Sequence, residues 1–402
     1  MASLAFKKNM DNKKIEELLT RGVENIYPTP AFLEKLLKSK KKLTIYTGYD
    51  PTAPTLHIGH GITMLKLRQF QELGHKIIFL IGDFTGMIGD PTDKASARQQ
   101  LTKEQVLKNC KEYKKQASAI LDFGGKNPVE IKYNSKWFLK MNFGDVLELS
   151  SKFTVQRMLE RDMFQERIKE GKPVYVHEFM YPIMQAYDSV EMDVDGEVGG
   201  NDQTFNMLAG RDLMKSMKNK EKFVLTMKLL TDSSGKKMGK SEGNMVALSD
   251  APQDMFGKVM SWPDGMIVAG LELCTQVSME EIKKIEKELK DGANPRDAKL
   301  RLAREIVAMY HSEAEAKKAE ENFIKTFSKG EAPEEIREVK VKSKNLLDVL
   351  VEAGLCASKG EARRNVEQGG VSVDEKVIKD FNFEVKPGNV IKKGKRHFVK
   401  IK

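Results

Sequence analysis

The sequence is poor in the residues that would mark a secreted, metal-clustered or membrane protein. Only three cysteines occur in 402 residues, Cys110, Cys274 and Cys356, and none forms a CxxC pair. That excludes a disulfide framework and zinc-type ligand spacing, and it suits a reducing, cytoplasmic setting. The longest apolar run, Ile77 to Ile81, is strand-sized and far too short to span a bilayer, so no membrane association is expected. The N-terminal segment mixes lysines with Asp11, Glu16 and Glu17 and has no apolar stretch, so it does not read as a signal peptide. Asp193-Val194-Asp195-Gly196 opens like a calcium loop. It has Val198 where that loop needs glycine and Thr204 where it needs glutamate, so no metal site is expected.

What is present is a globular chain with an acidic partner in view. Hydrophobic residues make up 40% and charged residues 31%, enough for a sizeable core in two or three domains. The formal charge is +10, and it is uneven. From Val341 to Lys402 there are 14 Lys and Arg against 8 Asp and Glu, so +6 of the excess lies in the last 62 residues. A basic terminal region of this kind suits RNA.

Periodicity predicts two short helices within 11–41, broken at Tyr27-Pro28-Thr29-Pro30, and then a strand at Leu43 to Thr47. Thr55 is the expected cap of a helix to about Leu73, with Ile62, Leu65, Phe70 and Leu73 on one face and Gly74 as its stop. Lys76 to Ile81 is the next strand. Strand, helix and strand in this order form a βαβ unit with parallel pairing. Further strands are expected near Val190 to Val198 and at Val224 to Leu230, and a Gly/Ser-rich loop at 231–245. The stretch 246–329 reads as helical, with a helix start at Asn294-Pro295. A charged, aperiodic linker is expected at 330–344, followed by a small α+β module.

Three clusters carry chemistry. His57-Ile58-Gly59-His60 opens a helix after a strand, and its two histidines share a face. A helix N-terminus has unsatisfied N–H groups and partial positive charge, which suit a phosphate. Lys237-Met238-Gly239-Lys240-Ser241 places two ammonium groups in a glycine- and serine-rich loop, where they can neutralise charge on a leaving anion. Tyr181, Gln185 and Asp188 are spaced i, i+4, i+7, a polar stripe on an otherwise Met- and Tyr-rich helix. Such a stripe suits a pocket that grips a polar ligand.

Together, and in this order, the first two clusters resemble the paired nucleotide-handling motifs of class I aminoacyl-tRNA synthetases. Tyr46-Thr47-Gly48-Tyr49-Asp50-Pro51-Thr52, Gly86-Met87-Ile88-Gly89-Asp90-Pro91, the Tyr181 stripe and Gly199-Gly200-Asn201-Asp202-Gln203 are similar to the bacterial tyrosyl-tRNA synthetase family. Tyr49 stands where that family often has phenylalanine, and Gly239 where many class I enzymes have serine. The resemblance implies an α/β fold with a Rossmann-like, parallel-sheet catalytic domain at 1–235. A lysine loop and an α-helical anticodon-binding domain would follow at 236–332, and a ribosomal-protein-like RNA-binding domain at 343–402.

The same resemblance implies roles. Tyr46 and Asp188 would bind a substrate phenol, and Asp90, Tyr181, Gln185 and Gln203 would complete the tyrosine pocket. Gly48, Asp50, Gly59, His60 and Asp202 would hold adenosine. Thr52, His57, Lys94, Arg98, Lys237 and Lys240 would stabilise pyrophosphate as it leaves. The substrates would be L-tyrosine, ATP with Mg²⁺, and tRNA(Tyr), with Arg363 and Arg364 on the RNA side, in a homodimer. Tryptophanyl-tRNA synthetase, an RNA-binding regulator descended from a synthetase, and an adenylate-forming enzyme that uses no tRNA are the alternatives.

Overall fold

The computed structural model describes residues 2–39, 41–92, 101–231, 245–328, 336–374, 376–394 and 397–402. They form two compact units, Met1–Glu313 and Ala314–Lys402.

The first unit is built on a six-stranded sheet: β1 Val23–Tyr27, β2 Thr44–Tyr49, β3 Lys76–Ile81, β4 Glu130–Tyr133, β5 Gly196–Gly200 and β6 Phe223–Met227. Their order is β1-β6-β5-β2-β3-β4, parallel throughout except for β1 against β6. Ile77 to Ile81 is buried on both faces, as a central parallel strand requires. Beyond β2 the chain adds strands on one side, β3 and β4. It then returns to add β5 and β6 on the other side. The order therefore reverses between β2 and β5, and their carboxyl ends open a crevice there.

The expected βαβ unit is present, with a different cap. The helix Ile58–Glu72 is capped by His57 rather than Thr55. The reason is a bridge to a later segment. Leu248 donates its amide to the Leu56 carbonyl, and Ile58 donates to that of Val246, both at 2.9 Å, which holds residues 56–57 extended. The helix buries Ile62, Leu67 and Phe70 and ends before Gly74, whose φ is +90°.

Three other expectations change. The 11–41 region holds the strand β1 between the helices Ala2–Thr20 and Pro30–Lys38; only Ile26 of β1 is buried, as suits an edge strand with little apolar alternation. The strand expected from Val190 begins at Gly196 instead. Val190 and Glu191 complete the helix Val176–Glu191, whose Val190 packs with Leu213 and Met214 of the helix Thr204–Lys218. The strand expected to Leu230 ends at Met227, where the Lys228 amide turns to the Gly22 carbonyl at 2.8 Å. Helices do fill the rest of this unit, among them Pro252–Met260, Ile267–Cys274, Met279–Lys290 and Pro295–Tyr310, the last capped by Asn294 as expected.

The second unit holds a five-stranded sheet: β7 Glu338–Val339, β8 Val371–Val373, β9 Lys376–Val377, β10 Val390–Lys393 and β11 His397–Ile401, in the order β7-β11-β10-β8-β9. The helices Leu346–Glu352 and Lys359–Glu367 pack Leu346, Val349, Leu350 and Val366 against Val371, Ile391 and Val399. The linker expected at 330–344 contributes β7, which pairs with Lys400 and Ile401. Two residues are too few for a periodic signal. Among the described residues, no helix is long and apolar enough to cross a membrane.

Candidate active site

The crevice at the carboxyl ends of β2 and β5 is a cleft of about 640 Å³. Every described residue predicted for tyrosine or ATP lines it: Tyr46, Gly48, Asp50, Thr52, His57, Gly59, His60, Asp90, Tyr181, Gln185, Asp188, Asp202 and Gln203. Lys94, Arg98, Lys237 and Lys240 lie outside the described residues. The chain on the flanks of both lysine-bearing segments does reach the cleft, at Thr92 for one and at Leu230 and Met245 for the other.

One wall comes from the helix Val176–Glu191. Its i, i+4, i+7 stripe points into the cleft, as the spacing predicts. Tyr181 donates its hydroxyl to Asp50 Oδ2 at 2.8 Å, and Gln185 donates Nε2 to Glu197 Oε1 at 3.0 Å. Asp188 is buried and accepts from Trp137 Nε1 at 2.9 Å and Asn134 Nδ2 at 3.3 Å. Burial is the largest influence on this carboxyl and pushes its pKa well up. Beside it, the Tyr46 hydroxyl lies 2.9 Å from Ser189 Oγ, and burial raises its pKa as well. Two buried polar groups able to bind a hydroxyl thus lie on the lining together.

Asp90, also on the lining, is held by three donors. Its Oδ1 accepts the Thr92 amide at 3.0 Å and the Thr92 hydroxyl at 2.6 Å, and its Oδ2 accepts Gln203 Nε2 at 2.7 Å. Arg161 Nη2 donates to the same Thr92 hydroxyl at 2.6 Å and lies 3.8 Å from Asp90. A fixed carboxylate here is a natural acceptor for a substrate ammonium group.

Another part of the lining is the start of the helix Ile58–Glu72. The His57 and His60 rings stack with centroids 3.8 Å apart, and His60 Nδ1 accepts the His57 amide at 3.1 Å. Its proton is therefore on Nε2. Burial pushes the His57 imidazole down to about 4 and holds that of His60 well below the usual range. Both are neutral at pH 7, and both offer N–H donors rather than charge.

Sequence reading missed Thr85, Asn134, Ser189, Glu197 and Arg161. Asn134 follows β4 directly, at the carboxyl end of a parallel strand, a position that could have flagged it. Thr85 donates to Asp50 Oδ1 at 2.7 Å and accepts from Asn134 at 3.0 Å. Among the described residues, no group of three or more His, Cys, Asp and Glu could hold a metal ion.

The family described as tRNA synthetases class I (W and Y) matches residues 38–328, and the S4 domain family matches residues 345–391. A tyrosine–tRNA ligase of Carboxydothermus hydrogenoformans is 46% identical over 97% of this chain and 98% of its own. The chain belongs to the tyrosine–tRNA ligase family of class I synthetases. A tyrosine–tRNA ligase of Thermotoga maritima is 45% identical to this synthetase, over 96% of each chain. Among solved structures, a C-terminally truncated mitochondrial tyrosyl-tRNA synthetase of Coccidioides posadasii has a TM-score of 0.62 at 26% identity. It covers 80% of this synthetase and 97% of its own chain.

The neutral histidines give a prediction. An unfolded histidine takes up its proton near pH 6.5, whereas folded His57 refuses one until about pH 4. The stability this provides is complete above about pH 6.5 and is lost as pH falls toward 4. Chemical denaturation at pH 7 and pH 5 should show a smaller loss in His57→Gln than in the unsubstituted protein. Parallel losses would contradict the neutral assignment.

Proposed function

We infer that this synthetase activates L-tyrosine with ATP to tyrosyl-adenylate and pyrophosphate, then transfers tyrosine to the 3′-terminal ribose of tRNA(Tyr). The observation that carries this reading is the pairing, in one cleft, of the buried Tyr46 and Asp188 with a helix N-terminus that bears the neutral His57 and His60. Asp188 and Tyr46 take the substrate hydroxyl. Asp90, Tyr181 and Gln185 take its ammonium group, and Gln203 completes the tyrosine pocket. Gly48, Asp50, Gly59, His60 and Asp202 hold the adenosine.

No acid, base or nucleophile from the protein is needed. The tyrosine carboxylate attacks the α-phosphorus in line, the bond to the bridging oxygen breaks, and pyrophosphate leaves. Thr52 and His57 donate to the departing phosphates, with Lys94, Arg98, Lys237 and Lys240 supplying positive charge. Mg²⁺ travels with ATP as its counterion. Binding is then strongest where charge develops, in the transition state.

Two further readings concern partners. Arg363 and Arg364 are exposed on the helix Lys359–Glu367 of the basic second unit, which supports a phosphate-contacting role toward tRNA. The first unit exposes Leu139, Phe143, Leu147, Val155 and Val176, with Phe143 at 75% and Val176 at 78%. Large apolar side chains left this exposed support a homodimer. The three free cysteines support a cytoplasmic location.

Asp188→Ala removes the buried acceptor and should lower kcat/KM for tyrosine by 100-fold or more, on the order of one unsatisfied buried hydroxyl plus a lost charge-assisted bond. Pyrophosphate-exchange kinetics check it, and near-normal activity would remove Asp188 from the pocket. Arg363→Ala with Arg364→Ala should weaken tRNA charging and flatten its salt dependence while exchange is unchanged; an unaltered salt slope would exclude both residues. Sedimentation should give twice the 45.5 kDa chain mass, and the monomer mass would exclude the dimer.

A further inference from the structure

A buried cation that the adenylation chemistry does not use lies behind the tyrosine end of the cleft. Lys222 directly precedes β6 and has no exposed side-chain surface. Tyr46 is the register partner of Glu197, and Glu197 is the partner of Val224. The two-residue period of a strand puts Lys222 on the same face as all three. Its ammonium donates to Ser189 Oγ at 2.8 Å and to the Glu197 carboxylate. It also lies 5.7 Å from the centroid of the Tyr46 ring.

Both partners of Lys222 hold a residue of the cleft. Ser189 Oγ contacts the Tyr46 hydroxyl, and Glu197 Oε1 accepts the Gln185 amide. Space for the ammonium comes from Gly210 on the helix Thr204–Lys218. A Cβ there would stand 2.7 Å from Lys222 Nζ and 3.0 Å from Ser189 Oγ.

The charges explain why such a group would be kept. A buried ion pair adds little net stability, because desolvation offsets the attraction. What it does fix is geometry. With one Glu197 oxygen on Lys222, the other is left for Gln185. With one Ser189 lone pair on Lys222, the hydroxyl keeps its proton and one lone pair for Tyr46. Without the cation, Glu197 would be an uncompensated carboxylate in the cleft wall, next to Tyr46.

We propose that Lys222 is a positioning residue for tyrosine selection, orienting the Tyr46 hydroxyl through Ser189 and the Gln185 amide through Glu197. This rests on the assignment of the cleft to tyrosine. The Lys222 ammonium touches no substrate and acts through its two partners.

The test is pyrophosphate exchange with tyrosine and with phenylalanine, at varied ATP, in two variants. Lys222→Met with Glu197→Gln strands no charge and keeps an acceptor for Gln185. Gly210→Ala keeps every charge and crowds the ammonium and the Ser189 hydroxyl together, the two groups through which Lys222 reaches Tyr46. In both, KM for tyrosine should rise, and the tyrosine-to-phenylalanine ratio of kcat/KM should fall, each by about tenfold, the size of one net hydrogen bond. KM for ATP should stay within about twofold. Folded variants with an unchanged KM for tyrosine and an unchanged ratio would overturn the proposal. A matching rise in both KM values would also overturn it, because that marks a general structural role. Failure of the unsubstituted protein to exchange with tyrosine would instead overturn the assignment of the cleft.

Discussion

Pairing of β2 with β5 over Ile45–Gly196 and Tyr46–Glu197 fixes which groups can meet in this molecule. Because strands are added to one side of β2 and then to the other side of β5, the two carboxyl ends diverge and leave room for a ligand. β2 delivers Tyr46, Gly48 and Asp50 to that gap, and β5 delivers Glu197 and, just beyond it, Asp202 and Gln203. The helix Val176–Glu191 then closes the deep end with Tyr181, Gln185 and Asp188. A slip of one residue in this register would turn Tyr46 and Glu197 to the opposite face and dissolve the site.

The electrostatic character of the cleft follows from that arrangement. Asp50, Asp90, Asp188 and Glu197 crowd one small volume. Each is tied by specific donors: Tyr181 and Thr85 on Asp50, Thr92 and Gln203 on Asp90, Trp137 and Asn134 on Asp188, Lys222 and Gln185 on Glu197. Carboxylates pinned in this way are expensive to bury and are pre-aimed acceptors. A ligand that brings an ammonium group at one end and a hydroxyl at the other matches them, and a purely apolar amino acid leaves Asp188 without its extra partner. The stacked His57 and His60 at the helix start, held neutral by burial, bring N–H donors to the same cleft without adding charge.

Much of this was legible in the sequence, for physical reasons that can be named. The strand Lys76–Ile81 declared itself because it is a continuous apolar run bounded by Gly74 and Gly82. The stripe of Tyr181, Gln185 and Asp188 was readable because helical spacing alone puts three polar groups on one face. Tertiary pairing hid the rest. His57 became a cap because residues 246–248 bridge to 56–58, a contact across almost two hundred residues. β1 and β7 are short edge strands whose composition carries little alternation. Glu197, Ser189 and Lys222 have no motif; they matter only because sheet register and the Gly210 gap bring them together.

We propose that this cleft recognises a phenol and an ATP phosphate chain together. The most direct measurement is amino-acid-dependent ATP–pyrophosphate exchange by the unsubstituted protein, without tRNA, comparing tyrosine, phenylalanine and tryptophan. Exchange with tyrosine and not with the other two is the predicted result. Exchange with tryptophan, or none with tyrosine from folded protein, would contradict it.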